Sequence, residues 1–105
     1  MSFENFDEKQ FCEALSKNLP VFRKKLGVSQ EEMAHILGLS RQTIANIETG
    51  RLPMKWSVFL ACMFVFYFNE ETRPILEKLN IPYDELRIFI KREMPVDVTT
   101  KFEHR

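Results

Sequence analysis

The sequence predicts an all-α fold, and three observations carry that expectation. Apolar residues recur at helical spacings of three and four along most of the 105 residues. No stretch keeps the strict apolar–polar alternation of a half-buried strand. Ser, Gly and Pro fall where the apolar stripes break off, and these are the residue types that start and stop helices.

In chain order, Asp7 to Ser16 reads as a first helix, with acidic residues in its opening turn and Phe6, Phe11 and Leu15 as its apolar stripe. Leu19 to Leu26 reads as a second helix, because Pro20 suits a first turn and Gly27 suits a left-handed C-terminal cap. Ser29 caps a third helix, and Glu32 completes a capping box with it. Gly38 supplies the positive φ of a tight turn, and Ser40 caps a fourth helix that stops at Gly50. Ala34 is small where these two short helices must approach closely, while Ile44 and Ile47 return an apolar face to the core. After the loop RLPMK, a long apolar helix is expected from near Lys55 to about Asn69. Pro74 opens a short helix to Leu79, and Asp84 caps a last helix that ends before Pro95. Residues 96–105 show no pattern. The length suits one domain spanning 1–105, with no separate sensing domain.

The formal net charge is zero, but the charges are unevenly placed. Residues 17–56 hold seven Lys/Arg against three Asp/Glu, residues 1–16 hold one against four, and residues 57–105 hold seven against eight. The cationic excess coincides with the two short helices, so an anionic partner is expected there. Cys12 and Cys62 are far apart in sequence and sit in apolar helical patterns, which predicts buried thiols in a reducing cytoplasm. His35 and His104 lack ligand spacing, no nucleophile–base arrangement is legible and no glycine loop could cradle phosphate, so no metal, cofactor or enzymatic activity is expected. The acidic N-terminus has no secretory apolar core. The run WSVFLACMFVFYF, apolar except for Ser57, falls short of the ~20 residues that cross a bilayer and reads as a buried helix with no membrane role.

Gln30 to Thr49, QEEMAHILGLSRQTIANIET, with GVS before it and Gly50 after it, resembles the helix-turn-helix of the Cro/repressor-like (XRE) family of phage and bacterial transcription regulators. The resemblance extends over about Leu19 to Phe64. It implies a lambda-repressor-like helix-turn-helix domain with extra helices: residues 1–17 as an N-terminal helical extension, 18–70 as the core and 71–105 as C-terminal helices available for dimerisation. Double-stranded DNA is the implied partner, read in the major groove by helix 40–49. By resemblance Arg41, Gln42 and Asn46 align with base-contacting positions. Their chemistry agrees, since Arg pairs bidentately with guanine O6 and N7 while Gln and Asn match adenine N6 and N7. Thr43 lies beside them at a phosphate or methyl contact, and Gln30 matches a position that bonds a backbone phosphate at a helix N-terminus. Ser40, Arg51 and Lys55 are the other expected backbone contacts, although Leu52 and Pro53 stand where relatives often carry more polar or basic residues. Arg23 and Glu48 align with a structural ion pair of the family. Lys24 and Lys25 read as a solvated face or a favourable pair at a helix C-terminus.

A helix that is apolar all round must be covered on more than one side. Trp56, Leu60, Ala61 and Phe64 are expected to pack on the motif. Phe59 and Phe66, with Cys62, then form a second face, to be met by the N-terminal helix, by a final helix carrying Leu86, Phe89 and Ile90, or by a second subunit. Relatives dock on DNA as two-fold dimers, so the resemblance implies a homodimeric repressor occupying an operator in a bacterial or phage-encoded cytoplasmic setting. The alternative is a protein-interaction module or antitoxin of the same fold, which masks a protein partner with its C-terminal half while the motif autoregulates.

Overall fold

The computed structural model describes residues 7–79 together with Lys91. The chain divides into two compact units; one is Asp7–Ile81, and of the other only Lys91, helical and exposed, is described. The described residues form helices α1 Glu8–Leu26, α2 Gln30–Leu37, α3 Arg41–Glu48, α4 Trp56–Tyr67 and α5 Arg73–Glu77, with no strand among them.

Local chemistry sets the helix ends. Asp7 caps α1 by accepting the Gln10 N–H at 3.1 Å. At the other end Gly27 takes φ 75°, and the Gly27 and Val28 amides close back on the Arg23 carbonyl at 3.0 and 3.1 Å. Ser29 and Glu32 exchange their bonds reciprocally: the Glu32 N–H reaches Ser29 Oγ at 3.0 Å, and the Ser29 N–H reaches Glu32 Oε1 at 2.9 Å. Those bonds hold the Glu32 carboxyl below its ordinary pKa. Gly38, at φ 70°, ends α2, and Ser40 Oγ then accepts the Thr43 N–H at 3.1 Å to start α3. A side chain at Gly27 or Gly38 meets no steric obstacle, so the positive φ alone is what makes glycine suitable.

The core lies where α1, α3 and α4 meet. Leu15, Leu19 and Phe22 of α1, Met33 of α2, Ile44 of α3, and Phe59, Cys62 and Phe66 of α4 are fully buried, as is Leu76 of α5. Phe22 stacks on Phe66 with ring centroids 4.5 Å apart, and Phe59 stacks on Trp56 at 4.8 Å. Thr72 is the one buried polar residue of the described set; its hydroxyl donates to the Phe66 carbonyl at 2.7 Å, which satisfies the C-terminal end of α4. Burial pushes the Cys12 thiol up to about 11, with Glu8 adding to the effect, and pushes Cys62 to about 12. Both are free thiols, protonated and unreactive at neutral pH.

Two expectations are corrected. The pair of helices expected over 7–16 and 19–26 is one continuous helix, and Pro20 lies inside it, not in a first turn. An interior proline costs about 3 kcal/mol. Cys12, Leu15, Leu19 and Phe22 form an unbroken stripe across it, and each buried Leu or Phe returns roughly 1.5–3 kcal/mol, so the helix continues. The second correction concerns α4, where Phe64, expected on the motif with Trp56, Leu60 and Ala61, is 68 % exposed while the other three are half-buried. Phe59 and Phe66, offered as a dimer or partner face with cover by the N-terminal helix as one alternative, are wholly buried, Phe59 stacked with Phe11 and Phe66 with Phe22 of α1. Phe6, the final helix from Asp84, its Leu86, Phe89 and Ile90, and His104 lie outside the described residues.

Candidate nucleic-acid interface

The α2–turn–α3 unit is built from its buried side. Met33 and Ala34 of α2 and Ile44 and Ile47 of α3 point inward, which turns the first turn of α3 toward solvent. Arg41 and Gln42 occupy the first turn of α3 and are exposed, and Asn46 follows on the next turn, half-buried. Gln42 Nε2 donates to Asn46 Oδ1 at 3.2 Å, so these two amides sit side by side with one donor and one acceptor engaged between them. Thr43 is half-buried, its hydroxyl within 2.8 Å of Ser40 Oγ. The Ser40 hydroxyl therefore serves the helix cap first.

Arg41 is steered by a chain of side-chain bonds running into the core. Arg23 of α1 approaches Glu48 of α3 with Nε to Oε2 at 2.9 Å and Nη2 to Oε1 at 3.2 Å, a two-pronged pair with side chains 21 % and 6 % exposed. Arg23 Nη1 also donates to the Val28 carbonyl at 3.3 Å. Gln30 Nε2 donates to the same Glu48 Oε1 at 3.0 Å, and Gln30 Oε1 accepts from Arg41 Nη1 at 3.4 Å. Glu48 thus ties α1, α2 and α3 together. Gln30, expected as a phosphate contact, has both ends of its amide engaged within the protein. The Gln30 link was beyond sequence reasoning, because Gln30 and Glu48 are 18 positions apart and only the angle between α2 and α3 joins them.

Arg51 and Lys55 lie exposed in the loop after α3. The Leu52 N–H donates to the Asn46 carbonyl at 3.1 Å, which fastens that loop to the last turn of α3. At the C-terminal end of α1, Arg23, Lys24 and Lys25 share the last turn, where the helix dipole favours cations. His35 is exposed on α2. Among the described residues no group of three or more His, Cys, Asp or Glu could hold a metal ion, and no helix is long and apolar enough to cross a membrane.

A family model described as Helix-turn-helix matches residues 22–54, from Phe22 in α1 to Met54 before α4. The matched segment contains the Arg23–Glu48 pair, both caps and the exposed face of α3. No curated protein and no solved structure matches the chain. Residues 22–54 are a DNA-binding helix-turn-helix of the Cro/repressor-like kind, within an all-α fold.

Proposed function

We propose that this protein is a sequence-specific transcription regulator, a homodimeric repressor that lays α3 in the major groove of an operator within a bacterial cytoplasm, whether host- or phage-encoded. The observation that carries the reading is the exposed face of α3, where Arg41, Gln42 and Asn46 stand at the N-terminal end of a helix whose opposite face is locked by Ile44 and Ile47. Arg41 takes guanine O6 and N7, and the paired amides of Gln42 and Asn46 take adenine. Ser40, Thr43, Arg51, Lys55 and Gln30 hold phosphates, Gln30 by giving up one of its two internal bonds. Three cations near the interface, Arg41, Arg51 and Lys55, give a shallow salt dependence of binding.

One turn-sized footprint carries little specificity, and a two-fold dimer doubles it. With Phe59 and Phe66 buried, the aromatic surface for self-association is Phe64, Tyr67 and Phe68, which are 68, 48 and 66 % exposed and touch one another, with centroids 5.0 and 5.3 Å apart along the series Phe64, Phe68, Tyr67. The same patch supports the second reading, a module whose C-terminal half masks a protein partner.

Selection of bound duplexes from a random pool tests the function directly. The expected product is a palindrome with half-sites about one helical turn apart. A pool that shows no enrichment after several rounds defeats the reading, and an asymmetric single half-site defeats the dimer. Arg41→Ala should cost about 1–3 kcal/mol at the selected site and relax one base pair. Light scattering on Phe68→Glu beside the unmodified chain separates a self-associating patch from one reserved for another protein.

A further inference from the structure

Between the N-terminal half of α1 and the loop from α3 to α4, the surface opens into a groove of about 510 Å³, within the size range of small-molecule sites. Its floor is apolar, since Cys12, Ile47 and Met54 are 5, 2 and 6 % exposed. Leu52 and Pro53 form the far wall, and Trp56 closes one end with its ring stacked on Phe59. Ionised lining groups stand only along α1, where Glu8 and Glu13 are balanced by Lys9 and Lys17. A polyanion finds no surplus of cations there, and a cation finds no surplus of carboxylates. Affinity is left to a ligand's apolar body.

We propose that this groove binds a small, uncharged, largely apolar molecule, and that filling it strengthens DNA binding. The second half rests on the DNA-binding reading given above. The far wall is one hydrogen bond from the reading helix, because the Leu52 amide holds the Asn46 carbonyl at 3.1 Å. Arg51 and Lys55 flank Leu52 to Met54 on the same loop. That bond is already made in the structure, and a ligand seated between α1 and Leu52 adds its contacts to this arrangement of the loop, so DNA binding gains to the extent that DNA selects the same arrangement.

The test uses the full chain and N-phenyl-1-naphthylamine, an uncharged aromatic probe that fluoresces in apolar surroundings. Trp56 is the only tryptophan, so energy transfer from it reports binding to the protein, and the variants below locate the probe. Saturable one-to-one binding is expected, about tenfold weaker in Ser16→Phe, which fills the groove, and in Leu52→Asp, which charges its wall. Phe64→Ser, on the exposed aromatic patch, should leave binding unchanged. Absence of saturable binding overturns the site, as does binding lost in Phe64→Ser and kept in the other two variants. With the probe bound, affinity for duplex DNA should rise about fivefold, the lower range of allosteric couplings. Unchanged DNA affinity with the groove filled overturns the coupling. Failure to bind DNA with or without the probe, while the groove still fills, counts against the DNA-binding reading and leaves the ligand site standing.

Discussion

The pair α2–α3 and the helix α4 are stabilised in opposite ways. Helices α2 and α3 are eight residues each, too short to persist alone in water, and each starts at a serine whose hydroxyl accepts a first-turn amide. Helix α4 has twelve residues and no side-chain cap at its N-terminus; it is held along its flank by Phe59, Cys62, Met63 and Phe66. The short helices are specified at their ends, which leaves most of their outer surface available for polar chemistry. The apolar helix is specified by what it packs against. A surface that must present Arg41, Gln42 and Asn46 in fixed positions suits the first arrangement, and a core suits the second.

The largest expected effect sharpens that contrast within α4 itself. Phe66→Ala should destabilise the fold by about 3–5 kcal/mol, whereas Phe64→Ala, on the opposite face of the helix and exposed, should stay within about 0.5 kcal/mol. Denaturant unfolding of both variants checks it, and equal losses would break the comparison. Next in size is the tie beneath α3. Arg23→Ala leaves the Glu48 carboxylate buried with Gln30 as its remaining donor and should cost about 3 kcal/mol. In a double-mutant cycle with Glu48→Gln the two losses should be strongly non-additive; simple addition would mean that the pair does not act as a unit. Removing an end contact is smaller again: Ser29→Ala should cost about 1 kcal/mol, while Lys55→Ala, at the uncapped start of α4, should leave unfolding unchanged. The smallest effect is a pH dependence. Because Glu32 is depressed in the folded state by its bonds to Ser29, its contribution is complete above the ordinary carboxyl value of 4.5 and is lost as the pH falls through the lower folded value. Glu32→Gln should therefore show a shallower loss of stability on acidification than the unmodified chain, and identical acid profiles would remove Glu32 from the capping box.

Much of α2–α3 was legible from the chain because cap chemistry is local. Ser29, Glu32, Gly38 and Ser40 act on backbone groups within a few residues, so identity and spacing suffice to place both helices. Local signals misled at Pro20, where a proline normally marks a helix start. There the stripe Cys12, Leu15, Leu19 and Phe22 gains more from continuing into the core than the proline costs. The face of α4 had no local signal at all. A helix apolar on every side has no preferred direction in its sequence, and the stack of Phe22 on Phe66 selects one.

By itself the sequence determined the helical class, the two short capped helices and the residues on the solvent side of α3, because each follows from contacts a few residues apart. The tertiary structure alone decided the continuity of α1, the inward phase of Phe59 and Phe66, and the extension of the Arg23–Glu48 pair, which the resemblance implied, through Gln30 to Arg41. Those depend on side chains 11 or more positions apart, or on burial that weighs a whole stripe against one proline, and neither is written in any short window of the chain.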